Sequence, residues 1–140
     1  MLAAIPHYET TERPSGAFGP DALATLDKIR RAAARARCAA RMDVFSACAL
    51  LSRDGTVAAA AFCEALLRAL RSAFGRAPVF YAPGAEEISR DEAWVLRLVL
   101  CAAEGREDSV AFLTRRRLPP QSLRPILFLA RSLAARLDNL

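Results

Sequence analysis

The sequence has few of the residues on which catalysis and β-sheets most often depend. Its 140 residues include one histidine, His7, and only ten Val and Ile together. Strands favour β-branched and aromatic residues, so this scarcity argues against a β-sandwich or a β-barrel. Because the single imidazole lies near the N-terminus, no base is at hand for a Ser or Cys nucleophile, and a catalytic triad is not expected.

Motifs for nucleotide and metal binding are also missing. The sequence contains neither a G-x-x-x-x-G-K-[ST] loop nor a G-x-G-x-x-G turn. The cysteines lack the C-x-x-C spacing of a zinc site and lie in apolar helical patterns that predict buried thiols: Cys38, Cys48, Cys63 and Cys101. We therefore expect no enzymatic activity, no cofactor and no metal ion.

Long apolar segments are absent as well. No run approaches the roughly 18 residues of a membrane span. The N-terminus lacks the basic region and the long apolar region of a signal peptide. These absences predict a cytoplasmic protein without a membrane span.

Alanine and leucine, by contrast, are abundant, with 30 and 19 residues respectively. Both are strong helix formers, and the chain is long enough for one hydrophobic core. Residues 1–19 mix proline, glycine and polar residues without a sustained period, which predicts a flexible tail. The sequence thus predicts an all-α fold, a single-domain bundle of about five helices over residues 20–140.

Apolar residues recur at helical spacing along this domain. The first pattern begins at Pro20 and runs to about Ser52, as one rod or as two helices with a new start at Asp43. Small residues on one side of it predict a neighbouring helix in the same chain or in a homodimer: Ala33, Ala36 and Ala40. The later helices are predicted over 56–74 with Thr56 as the cap, 89–104 with a capping box from Ser89 to Glu92, 107–117, and 121–138 with a cap near Ser122.

The net charge of +5 comes from 19 arginines and one lysine against 15 acidic residues. The positive charge is concentrated in residues 21–41 and 113–140, which enclose an acidic stretch at 75–112. We expect the first helix to expose Arg30, Arg37 and Arg41 on one flank and Lys28, Arg31 and Arg35 on another. A further basic run lies at the end of the helix over 107–117: Arg115, Arg116 and Arg117. Such surfaces attract phosphate groups or an acidic protein, or pair with the acidic stretch.

The segment 76–88 interrupts the helices and carries three consecutive bulky apolar residues, Val79, Phe80 and Tyr81. These side chains either fold onto the protein's own core or form an exposed anchor for a partner. The acidic residues in and after this segment are expected in a loop and in the first turn of a helix, where carboxylates interact favourably with the helix dipole.

Protein association accounts for most of these features. We expect a small cytoplasmic bacterial regulator, adaptor or accessory subunit that binds an acidic or helical surface of a protein partner. In this hypothesis the contacts are Arg30, Arg37 and Arg41 for the acidic groups, with Phe80 and Tyr81 as apolar anchors.

A nucleic-acid-binding regulator is the alternative. It would use the same arginines of the first helix, together with further phosphate contacts from Arg31, Arg35, Arg115, Arg116 and Arg117. The helices over 89–104 and 107–117 offer a helix-turn-helix only in outline, because Glu107 and Asp108 would be the first residues to meet the phosphates.

Overall fold

The computed structural model describes residues 18–38 and 55–140, and the regular elements of these two stretches are helical. They are α1 (Pro20–Cys38), α2 (Gly55–Phe74), α3 (Arg90–Ala103), α4 (Glu107–Arg117) and α5 (Pro120–Ala134), followed by a 3-10 turn at Leu137–Asn139. The predicted all-α bundle is therefore confirmed, and α4 has the predicted bounds.

Helix α3 lies deep in the bundle, as its apolar sequence predicts. It packs against α1, α4 and α5, whereas α2 packs against α1 and α5. Ser89 Oγ accepts the Glu92 N–H at 3.0 Å, and the Glu92 carboxylate accepts the Ser89 N–H at 3.0 Å. This reciprocal capping box, also as predicted, satisfies two backbone donors and fixes the start of α3. The core side chains that follow are Ala93, Trp94, Val95, Leu96, Leu98 and Val99.

Helix α2 ends where predicted but begins before its predicted cap. Gly75 follows its last residue with a φ of +73°, the left-handed conformation that glycine adopts without a Cβ penalty. The helix begins at Gly55, so Thr56 lies inside the first turn rather than at the cap. Glycine suits position 55 because a Cβ there would approach the Asn139 side chain to 3.0 Å.

Helix α5 also begins before its predicted cap at Ser122. Pro119 is the N-cap residue and Pro120 is the first helical residue, where a missing N–H has no intrahelical partner to lose. Ser122 is drawn into the first turn, and its N–H donates to the Pro119 carbonyl at 2.9 Å. Pro125 consequently lies in the second turn, where it lacks the N–H that would otherwise donate to the carbonyl of the exposed Gln121.

Helix α1 places its predicted apolar stripe in the core: Leu26, Ile29 and Ala33. Just before it, Phe18 packs against the core, and the guanidinium carbon of Arg97 lies 5.1 Å from its ring centroid. The predicted tail up to residue 17 lies outside the described residues. The residues after position 38, which would decide between one rod and two helices, also lie outside the described part of the chain. Ala40, the third of the small residues predicted to face a neighbouring helix, is one of them.

The Cys63 thiol is fully buried, and burial raises the pKa of this thiol to about 12. Because the thiolate is the reactive form, we expect Cys63 to resist iodoacetamide in the folded protein at about pH 8 and to react readily in urea. Peptide-resolved mass spectrometry measures this, with the half-buried Cys101 as an internal comparison. Equal labelling rates of Cys63 in folded and unfolded protein would contradict the expectation.

Candidate binding groove

Glu92, in the first turn of α3, joins three parts of the fold. It is fully buried. It accepts hydrogen bonds from Arg30 Nε at 2.5 Å, from Arg30 Nη2 at 3.0 Å, from the Tyr81 N–H at 3.1 Å and from the Ser89 N–H at 3.0 Å. These donors offset the desolvation of a charge that would otherwise be costly to bury. Glu92 thereby ties α1 and the loop at 75–89 to α3.

Arg30 holds this arrangement from α1, so the prediction that it lies exposed for a partner is wrong. Its exposed fraction is 3 %. Besides Glu92, it binds the carbonyl oxygens of Ala85 and Glu87 at 2.9 and 2.7 Å. The physical reason is its place next to the buried Ile29, at the edge of the α1 stripe, from which the long side chain reaches α3 and the loop.

Asp91 forms a second charged cluster with two arginines. Its Oδ2 accepts Arg76 Nη1 at 2.7 Å and the Val79 N–H at 2.8 Å, and its Oδ1 accepts Arg117 Nη2 at 2.8 Å. Burial opposes the ionisation of Asp91, but the hydrogen bonds from Arg76, Arg117 and Val79 outweigh it and lower the pKa of the carboxyl group to about 2. Asp91 therefore ties the beginning of the loop and the end of α4 to the first turn of α3.

Arg117, a predicted phosphate contact, is held in this cluster, and its side chain is 24 % exposed. Its guanidinium carbon lies 4.5 Å from the Phe74 ring centroid and 5.1 Å from that of Trp94. An ion pair to Asp91 and two cation–π contacts hold the side chain in place. The position of Arg117 explains this, because it lies where α4 packs against α3 and there borders the buried Trp94.

The loop at 75–89 folds onto the protein's own core. Phe80 is buried in the hydrophobic core and Tyr81 is half-buried, whereas Val79 is 36 % exposed. The cause is in the backbone, because the N–H groups of Val79 and Tyr81 donate to the two buried carboxylates. The interpretation of Phe80 as an exposed anchor is therefore wrong.

The other predicted arginines differ in their surroundings. Arg31 is exposed and pairs with Asp27, one turn earlier on α1, at 2.7 Å. Those that are exposed without a described ion pair are Arg35, Arg37, Arg115 and Arg116. Arg116 lies 5.3 Å over the Phe112 ring. Arg41 lies outside the described residues.

An open groove of about 810 Å³ lies between α1, α2 and the loop. It brings together Arg37 and Phe80, two of the five residues predicted to contact a partner, while neither Arg30 nor Tyr81 lines it. Phe80 lies at the bottom of the groove, which we call its floor, and does not protrude from the surface. Two of the short α1 side chains that were predicted to accept a neighbouring helix, Ala33 and Ala36, line the groove. The rest of the apolar lining comes from α2 and the loop: Leu67, Ala77, Pro78 and Phe80.

The rim of this groove is cationic. Among the described residues that line it, the one carboxylate belongs to Glu64 and pairs with Arg68, one turn later on α2. Arg37 on α1 and Arg71 on α2 have no ion-pair partner within residues 18–38 and 55–140. The groove therefore combines an apolar floor with two positive charges that the described chain does not neutralise.

A second groove, of about 770 Å³, lies between α1 and the loop. Two of its charged residues are used within the protein, because Arg30 binds Glu92 and Asp27 binds Arg31 and the Gly84 N–H, while Glu86 and Glu87 make its rim acidic. The first groove contains the predicted contact residues Arg37 and Phe80 and is therefore the candidate site.

The sequence did not single out three residues of the candidate site, Leu67, Arg68 and Arg71. The amphipathic pattern of α2 placed both arginines on its polar side, but one helix alone does not show which neighbour that side meets. Two exposed aromatic side chains were missed as well, Phe112 on α4 and Phe128 on α5, with exposed fractions of 59 % and 61 %.

No protein-family model, curated protein or solved structure matches this chain. None of the helices that the structure describes is long and apolar enough to cross a membrane. In the same part of the chain, no group of three or more His, Cys, Asp or Glu side chains is arranged to hold a metal ion.

Proposed function

We propose that this protein is a non-catalytic protein-interaction module whose groove between α1, α2 and the loop binds an acidic segment of a partner protein. The observation that carries the proposal is the pair of arginines, Arg37 and Arg71, above an apolar floor. Carboxylates of a partner would supply the charge-assisted hydrogen bonds that the described chain does not. In this proposal the protein acts through such contacts as a cytoplasmic bacterial regulator, adaptor or accessory subunit.

The two parts of the groove have different energetic roles. Burying one Leu-sized side chain on the apolar floor contributes roughly 1.5 to 3 kcal/mol. An exposed ion pair contributes only about 0.2 to 1 kcal/mol and weakens as salt is added. The floor therefore supplies most of the affinity, whereas the arginines select an acidic partner and accelerate its approach.

A nucleic-acid contact is the second candidate, because Arg35, Arg115 and Arg116 are exposed. Internal bonds weaken it: Arg30 and Arg117 are held by buried carboxylates, so fewer cations are left for phosphates than the sequence suggested. An apolar floor also adds nothing to binding of a phosphate backbone.

Site-specific photo-crosslinking tests the proposal. Benzoylphenylalanine in place of Ser72, an exposed residue that lines the groove, should form an adduct with one defined protein in a native extract. The crosslinked peptide of that protein should be acidic. Charge reversal by Arg37→Glu with Arg71→Glu should abolish the adduct, while stability changes by no more than about 0.5 kcal/mol because both side chains are at the surface.

The matched control places the same crosslinker at Gln121, an exposed residue of α5. Equal adducts from both positions would contradict a groove-specific contact. A labelled DNA duplex, titrated at low and moderate salt, decides the second candidate. Steeply salt-dependent binding that Arg35→Ala, Arg115→Ala and Arg116→Ala weaken would favour nucleic acid over a protein partner.

A further inference from the structure

The geometry of the groove points to a specific kind of occupant, an amphipathic α-helix that carries carboxylates on both sides of an apolar stripe. This inference rests on the proposed function and adds the structure and charge pattern of the partner. It follows from what the groove lacks, from the size of its side chains and from the position of its arginines.

The groove lacks what an extended peptide needs. Strand-like ligands are held mainly by main-chain hydrogen bonds to the edge of a sheet. The described residues form no strand, and before their last turns the main-chain carbonyls of α1 and α2 are bonded within their own helices. A helix satisfies its own main chain, so it requires from the groove only apolar contact and opposite charge.

The lining of the groove suits the close approach of a helix. On α1 the lining residues Ala33 and Ala36 are one turn apart and have the shortest side chains available apart from glycine. Helix axes lie about 8 to 10 Å apart, and small side chains at the contact allow the shorter distances. Leu67, which is partly buried, then offers a larger apolar surface against which Leu-sized side chains of the occupant can pack, while Phe80 contributes only the small edge that the core leaves exposed.

The two arginines explain the charge pattern of the occupant. Arg37 lies in the last turn of α1 and Arg71 in the last turn of α2, so they approach the groove from two different helices. An occupant between these helices meets one arginine on each side of its apolar stripe. Carboxylates on both flanks of the stripe therefore pair with both arginines, whereas acidic residues on one flank reach only one.

Peptide binding to the full chain tests the inference by fluorescence anisotropy. The probe is a labelled peptide of about 16 residues, long enough to populate a helix, with a Leu and Ala stripe flanked by Glu on both sides. We expect saturable binding that weakens with added salt. Arg37→Glu with Arg71→Glu should weaken it roughly tenfold or more. The matched double charge reversal, Arg115→Glu with Arg124→Glu, should change it less than about twofold.

Two further peptides separate the parts of the inference. One carries Lys in place of Glu, and the other keeps Glu but has two central prolines that prevent a helix. Equal binding of the Lys peptide would overturn the charge pattern, and equal binding of the proline peptide would overturn the helical form.

The crosslinking result distinguishes a failure of this inference from a failure of the proposed function. Absence of binding by the Glu peptide, with the partner adduct at Ser72 still present, overturns the helical occupant and leaves the protein-interaction function standing. Crosslinks from Ser72 only to residues 39–54 of the same chain would show an intramolecular occupant, and both proposals would then be wrong.

Discussion

Replacing Glu92 with alanine is expected to lower the free energy of unfolding by about 3 to 5 kcal/mol, because Arg30 would remain buried without its partner. The Tyr81 and Ser89 N–H groups would lose their acceptor at the same time. Urea unfolding measures the effect through the fluorescence of Trp94, the only tryptophan and a buried one. If Glu92→Ala does not fold, Glu92→Gln is the milder variant, with a smaller loss expected.

Two variants show whether the effect arises from the buried charge. Glu86→Ala, at an exposed residue of the same loop, should change stability by no more than about 0.5 kcal/mol. The double variant Arg30→Met with Glu92→Leu leaves neither charge unpaired and should be more stable than Glu92→Ala. A Glu92→Ala protein as stable as Glu86→Ala would contradict the role assigned to this ion pair.

Replacing Asp91 with asparagine is expected to cost about 2 kcal/mol at neutral pH and to remove a step in the dependence of stability on pH. The carboxyl pKa lies at about 2 in the folded protein, against 3.8 as the ordinary value. A depressed pKa means that the ionised group stabilises the fold, with a difference of roughly 2 kcal/mol. The wild-type advantage is therefore complete above about pH 5 and is lost as the pH falls towards 2.

The measurement is the free energy of unfolding of both proteins between about pH 2 and pH 7, compared as a difference so that other titrating groups cancel. The difference should be constant above about pH 5 and shrink steadily below pH 4. A difference that is independent of pH throughout this range would contradict the depressed pKa of Asp91.

Local signals in the sequence predicted much of the fold, because they act over one or two turns. The Ser89 to Glu92 capping box fixes the start of α3, and Gly75 ends α2 by adopting a left-handed conformation. The start of α5 was misplaced because two competing signals lie close together. Pro119 and Pro120 start the helix three residues before Ser122 would cap it, because proline has a helical φ and needs no N–H partner in the first turn.

The candidate site was predictable only in part, as Arg30 and Arg37 illustrate. These residues are seven apart and therefore share one side of α1, which is why the sequence placed them on the same exposed flank. Helical spacing defines the side of the helix on which a residue lies, but it does not show which part of the fold that residue meets at its position along the helix axis. Arg30 lies level with the buried Glu92, while Arg37 lies two turns further on and remains exposed. A contact 62 residues away in the chain thus decides which arginine is structural.

The loop shows the same limit. Its three bulky residues required burial or a partner, and the sequence could not choose between them. The choice depends on two carboxylates of α3 that accept the N–H groups of Val79 and Tyr81 and so direct Phe80 into the core. This fold-back also creates the groove, because Pro78 and Phe80 line it from the loop.

The central claim is that the groove between α1, α2 and the loop is the binding surface. It is tested most directly by a ¹H–¹⁵N NMR titration of the full chain with the Glu-flanked helical peptide. The predicted result is a set of concentration-dependent shifts confined to residues 33–37, 64–75 and 77–80, which disappears in the Arg37→Glu, Arg71→Glu variant. Shifts centred instead on Phe128 and the exposed side of α5, unchanged in that variant, would contradict the claim.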